Sequence, residues 1–278
     1  MNLLKFIETF TDDKLMNSKG DRRASFTNFG NLGKGLALAA IPFGLSTFSS
    51  GKLYAADINA TPSTPIGALQ LALVLEYLEA EYYNMGLASG VIPLSENGGR
   101  DRKVFEQITK HENSHVDFLI AGLGGTASAN FVAKPTFDFT VGGAFDPFND
   151  YPTFLALAQA FEDTGVRAYK GQAANLITTP DLLTAALQIH SVEARHASEV
   201  RRLRGQKGWI VGSDRGGLPA AAQGTYDGEQ NAVQAGFNTS SVNNTSFGPA
   251  IPGGAGPESF DEPLTTQQSV DIANLFIV

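Results

Sequence analysis

Two copies of one short step constrain this chain more than anything else in it: Glu112-Asn-Ser-His115 and Glu193-Ala-Arg-His196. In a helix, residues three apart share a face, so each step aims a carboxylate and an imidazole at one point. A lone Glu-x-x-His is weak evidence, because surface pairs arise by chance. Two copies on two long helical stretches are stronger. Two further stretches each carry a glutamate followed seven residues later by a tyrosine, Glu76 with Tyr83 and Glu162 with Tyr169. Seven residues is nearly two turns, so each Glu and Tyr lie on one stripe. The order Glu, Tyr, Glu-x-x-His therefore occurs twice, with 36 and 31 residues between the glutamates, as an internal duplication would leave it.

The surrounding pattern predicts the helices that carry these residues. Thr64-Pro65 supplies an N-cap and a first-turn proline, and the apolar run from Leu69 to Leu78 continues a first helix to about Ala88. A second helix is expected over Arg100 to Leu123, stopped by Gly124-Gly125. A third begins at Pro152. A fourth starts at Thr179-Pro180-Asp181 and ends near Arg204, where Arg201, Arg202 and Arg204 suit the negative end of its dipole. Short loops join helices one to two and three to four, which makes each pair antiparallel. Between Gly124 and Tyr151 runs a long link with Pro135 and an alternating Phe137, Phe139, Val141, long enough to travel the length of a bundle. The expected fold is therefore all-α: a four-helix bundle with one long crossover between two helical hairpins.

The region 57–204 is assigned to the bundle and 205–278 to a Gly/Asn/Pro-rich loop region packed on it, with Trp209, Tyr226, Phe237 and Phe247 as scattered apolar residues. It closes in a short helix that begins at Thr265-Thr266-Gln267-Gln268, a capping-box pattern, and runs through Ile272 and Leu275. Residues 1–56 differ in character. Arg22-Arg23, an apolar stretch from Leu36 to Phe48 and Ala55-Ala56 read as an export signal of the twin-arginine kind, which carries folded, cofactor-loaded proteins. An N-terminal arm packed on a cytoplasmic protein is the alternative. The apolar stretch is too short for a stable membrane span, which needs about 20 residues.

Composition narrows the chemistry. The chain has no cysteine, so any metal must be held by Glu, Asp or His. All four histidines fall in the two Glu-x-x-His segments: His111, His115, His190 and His196. A net charge of −8 argues against a nucleic-acid partner, which needs a basic stripe. Facing helices would bring Glu76, Glu112, His115, Glu162, Glu193 and His196 inward as ligands of two metal ions. Burying four carboxylates together without metal is very costly, so the ions are the natural solution. Tyr83 and Tyr169 are expected to stand behind the ligands as hydrogen-bond donors or packing groups. His111 and His190, each within a turn of a ligand pair, are as well read as structural hydrogen-bonding groups. For Glu79 and Glu81 a surface position is favoured over an extra ligand.

Over residues 64–204 the chain resembles the ferritin-like superfamily, through Glu76-Tyr-Leu-Glu-Ala-Glu-Tyr-Tyr83 and the paired Glu-x-x-His steps. More narrowly, Leu75 to Tyr83 and the tail Phe260-Asp-Glu-Pro-Leu-Thr265 resemble the desiccation-related ferritin-like proteins. That likeness implies a non-cage protein, compatible with a homo-oligomer but not with a ferritin shell. It leaves the activity poorly defined, and the donor set itself favours a di-iron or di-manganese centre, in which the same six residues carry redox chemistry toward O2, peroxide or Fe(II) in stress protection. Oxygen-rich ligation with two imidazoles suits Fe or Mn, and bridging glutamates can hold two ions about 3.5–4 Å apart. A non-enzymatic, desiccation-protective protein with a structural metal site, or metal sequestration without turnover, is the alternative.

Overall fold

The computed structural model of the protein describes residues 57–94, 99–241 and 256–278. The export-signal reading of residues 1–56 and the packing of Phe247 fall outside them. Four long helices are present, α1 (Pro65–Ser89), α2 (Arg100–Gly122), α3 (Tyr151–Gln172) and α4 (Pro180–Leu203), with a short α5 (Thr266–Asn274) near the C-terminus. Among the described residues the only sheet is a two-stranded hairpin, β1 (Val233–Gln234) and β2 (Phe237–Asn238), which the sequence reading did not anticipate. Ala235 and Gly236 both adopt positive φ at its turn, the geometry that closes a two-residue hairpin.

The helix ends follow from local chemistry. Thr64 caps α1, its hydroxyl oxygen accepting from the Gly67 N–H at 3.1 Å. Asp150 caps α3 in the same way, accepting from Thr153 N–H at 2.9 Å. Thr179 departs from expectation. Its hydroxyl donates back to the Leu176 carbonyl at 3.0 Å, beside the Thr179 N–H that bonds the same oxygen at 2.8 Å, because the 3-10 turn Ala173–Leu176 closes just before α4. The α5 capping box forms between Thr265 and Gln268.

The helices pack as two antiparallel hairpins, α1 on α2 and α3 on α4. Tyr83 meets Phe105 and Glu76 meets His115, so α2 descends as α1 rises. On α3 and α4, Gln159 bonds Arg204 and Glu162 pairs with His196. The crossover runs along α1: Gln70 reaches the Asn130 carbonyl at 3.0 Å, Lys134 pairs with Glu81, and Tyr82 packs on Phe139 at 5.1 Å. It then pairs with the C-terminus, where Asp138 N–H donates to the Phe276 carbonyl at 2.8 Å and Val278 N–H to the Thr136 carbonyl at 3.0 Å. The observed architecture is thus the all-α bundle with one long crossover.

Burial is unequal among the four helices. In α1, 17 of 25 residues are buried, and in α3, 16 of 22, against seven each in α2 and α4. A helix apolar all round must be covered all round. The crossover covers α1, while α5 and the segment after α4 cover α3. Part of that cover is polar. Arg167 donates to the carbonyls of Thr225, Asp227 and Glu262 and pairs with Glu229 at 2.7 Å. Asp163 holds Arg201 through two hydrogen bonds, 2.9 and 2.5 Å, and accepts from Tyr226 Oη at 2.7 Å. Tyr226 is fully buried, whereas Trp209 and Phe237 lie exposed on the same segment. Among the described residues no helix is long and apolar enough to cross a membrane.

Candidate metal centre

Each helix places its chemistry where the spacing predicts. Glu76 on α1, Glu112 on α2, Glu162 on α3 and Glu193 on α4 are all fully buried, and His196 is 5% exposed. Together with His115 they form two overlapping groups: Glu76, Glu112, His115 and Glu193, and Glu112, Glu162, Glu193 and His196. Within each group one ligand atom per residue lies within 4.8 Å of the others. Glu112 and Glu193 belong to both groups, one from each Glu-x-x-His step.

The imidazoles face the carboxylates through Nδ1. His115 Nδ1 lies 3.0 Å from Glu112, 3.1 Å from Glu193 and 3.2 Å from Glu76. His196 Nδ1 lies 2.8 Å from Glu112, 3.2 Å from Glu193 and 3.4 Å from Glu162. One N–H cannot point at three acceptors, so protons alone cannot satisfy this geometry. Three buried oxygens, Glu112 Oε1, Glu162 Oε2 and Glu193 Oε1, have no well-aligned hydrogen-bond donor among the described residues. A convergent set of oxygens and imidazole nitrogens with orphaned lone pairs fits metal ions, and without thiolates it fits iron or manganese.

Groups behind the ligands fix their orientation, as in metal sites generally. Tyr83 Oη donates to Glu162 Oε1 at 2.6 Å, and Tyr169 Oη donates to Glu76 Oε1 at 2.5 Å. Burial, and next the neighbouring carboxylates, hold both phenols far above their ordinary pKa, so they remain donors. His196 Nε2 meets His111 Nδ1 at 2.8 Å with the two rings stacked, and His111 Nε2 contacts Gln107 at 2.6 Å. Burial, then the charges of His196 and His115, push His111 toward its neutral form. His111 thus gives the outward nitrogen of His196 a hydrogen-bond partner while His196 Nδ1 faces the carboxylates. Spacing alone left the role of His111 open. His190 lies outside both groups, and burial lowers its pKa.

The electrostatics show what the ligands do when only protons are present. Burial drives Glu112 well above the carboxylate range, reinforced by Glu193 and opposed by hydrogen bonds from both histidines. Burial raises Glu162 to about 7 against the pull of His196. Burial would raise Glu193 too, but hydrogen bonds and charge from His115 and His196 outweigh it and hold Glu193 at about 2. Both histidines lie well above their usual range. For each, burial is the largest single influence and disfavours the cation, but the surrounding carboxylates together outweigh it: Glu76 with Glu112 and Glu193 for His115, Glu162 with Glu112 and Glu193 for His196.

One expectation is corrected. Glu79 is not on the surface but 3% exposed, because it shares the stripe of Glu76 and Tyr83, three and four residues away. That spacing was the available signal. Glu81 does reach the outside, pairing with Lys134.

No curated relative and no solved structure matches the chain. The sequence profile of the ferritin-like domain family does match, over residues 64–206, from the α1 cap to just past α4. That span is more than half of the 278 residues and contains every residue of both candidate metal groups. The chain belongs to the ferritin-like domain family.

Proposed function

We propose that the protein is a di-metal carboxylate oxidoreductase, with two iron or manganese ions held by Glu76, Glu112, His115, Glu162, Glu193 and His196. The observation that carries this reading is the sharing of Glu112 and Glu193 between two ligand groups. Two divalent ions also balance four carboxylates. Such a pair supplies two-electron exchange with O2, peroxide or added Fe(II), which avoids one-electron products. The protein's own residues do the rest. Glu112 and Glu193 span both positions, while Glu76 with His115 and Glu162 with His196 close the two ends. Tyr83 and Tyr169 hold the end carboxylates in place, and His111, stacked on His196, steadies that ring from behind. Apolar packing around α1 and α3 keeps bulk water out. We assign the chemistry to stress protection, in an exported protein if the twin-arginine pattern at Arg22-Arg23 is read by the export machinery.

Full burial of all four glutamates supports a second reading, in which the ions lock the bundle in a desiccation-protective protein without turnover. Elemental analysis of wild type and of the Glu112→Ala/Glu193→Ala variant tests the site. About two Fe or Mn per wild-type chain, lost in the variant, is the expected result for such a bundle. A folded wild type that refuses both metals sinks the proposal. Consumption of O2 or peroxide by the loaded protein separates turnover from locking.

A further inference from the structure

The two halves of the centre repeat each other, but not at every position. Glu76 and Glu162 are 86 residues apart, as are Tyr83 and Tyr169, and at the same offset the counterpart of Glu79 is Gly165. The two positions face each other. A Cβ added to Gly165 would stand 3.2 Å from Glu79 Oε1 and 3.7 Å from Glu193 Cγ. Absence of a side chain on α3 therefore leaves the space that the Glu79 carboxylate fills, beside Glu193.

Glu79 is also unlike the other buried acids. Asp163 is spent on Arg201 and Tyr226, and Glu229 on Arg167. Glu79, at 3% exposure, makes no hydrogen bond or ion pair among the described residues. Buried polar groups are almost always partnered, so a buried carboxyl without a protein partner points to a ligand that is not protein. Glu79 and Gly165 both line a void of about 10 Å³, bounded further by Leu78, Phe161, Thr164 and Phe276. Gly165 comes three residues after Glu162 on the same face of α3, so Glu79 reaches across to the side of the centre that Glu162 and His196 occupy.

We propose that Glu79 is a fifth carboxylate of the centre, one that would bind the ion held by Glu162 and His196. The inference rests on the di-metal reading and deepens it. The two metal positions would then be inequivalent.

Anaerobic calorimetric titration of the full-length, metal-free protein with Mn(II) tests this, using wild type, Glu79→Gln and Gly165→Ala. Wild type should bind in two unequal steps. Glu79→Gln should weaken one step by about tenfold or more and leave the other nearly unchanged. Gly165→Ala, which favours the helix but crowds Glu79, should weaken the same step by a smaller factor. Metal-free Glu79→Gln should melt no lower than wild type, since it keeps the shape and removes a buried ionisable group. As a second readout, the visible absorption of the Co(II)-loaded protein should grow stronger in Glu79→Gln as one ion loses a ligand. A wild type with two steps that Glu79→Gln leaves unchanged overturns the inference alone. A wild type that binds no Mn(II) overturns the di-metal reading and this inference with it.

Discussion

Tyr83 on α1 gives its hydroxyl hydrogen bond to Glu162 on α3, at 2.6 Å, and not to Glu76 on its own helix. Tyr169 on α3 returns the arrangement to Glu76. Each half of the duplicated chain thus holds the end carboxylate of the other half. Removing either hydroxyl frees a buried ligand oxygen and leaves it to rotate. Tyr83→Phe and Tyr169→Phe should each lower Mn(II) affinity by about 10- to 100-fold, the usual consequence of losing such a support. Equilibrium titration measures it. Unchanged affinity in both variants would reduce the tyrosines to packing groups.

Metal-free and metal-loaded protein should respond to pH in opposite directions. In the metal-free state burial holds Glu112 and Glu162 above the ordinary carboxylate range, Glu162 at about 7. Such groups bind more protons folded than unfolded, so stability falls as pH rises from about 4.5 toward 7. His115 and His196, raised by their carboxylate partners against burial, add stability that is present below about 6.5 and is lost above it. Glu193, held at about 2, acts the other way, but only below about 4.5. Metal binding requires deprotonated ligands and strengthens with pH. The gap in melting temperature between loaded and metal-free protein should therefore widen by several degrees between pH 5.5 and 8, within the range that about 1–2 kcal/mol produces. A constant gap in thermal denaturation would contradict the assignment.

The ion pair beneath the tail sets a third test. Asp163 and Arg201 are each 2% exposed. Arg201→Met leaves a buried carboxylate with only Tyr226 for company and should cost about 3–5 kcal/mol in urea unfolding of the metal-free protein. A loss below about 1 kcal/mol would place the pair in effective contact with water.

A fourth concerns Gly171 in α3. Alanine in a helix interior ordinarily gains about 1 kcal/mol over glycine. At this position the added Cβ would collide with the carbonyl oxygen of Leu264, so the expected sign reverses. Gly171→Ala should release the C-terminal segment to limited proteolysis at protease levels that leave wild type intact. Equal resistance would show that Leu264 moves aside freely.

The convergence of the six candidate ligands and the crossover were legible because helical periodicity is local: three-residue steps place Glu112 with His115, and Glu193 with His196, before any tertiary contact is known. What spacing could not reveal lies across helices. The exchange of tyrosines between halves, the stacking of His111 on His196 and the burial of Glu79 all depend on which helix faces which. The Thr179 cap failed because a neighbouring 3-10 turn claimed its hydroxyl. Asp163 and Arg167 read as ordinary helix-surface charges in sequence. Their partners lie 38 to 95 residues away, in segments with no periodicity to announce them.

Asp163 directly follows Glu162, so neighbouring residues of α3 serve the ligand cluster and the buried base of the tail. Thr225, Asp227, Glu229, Glu262 and Leu264 complete that base, and all five lie beyond residue 206, where the family match ends. The stretch that inheritance has kept recognisable is therefore shorter than the stretch that folds. Were ion binding at Glu162 and docking of the tail coupled through α3, the coupling would be reciprocal: an ion at Glu162 would secure the tail, and a docked tail would ready Glu162 for the ion.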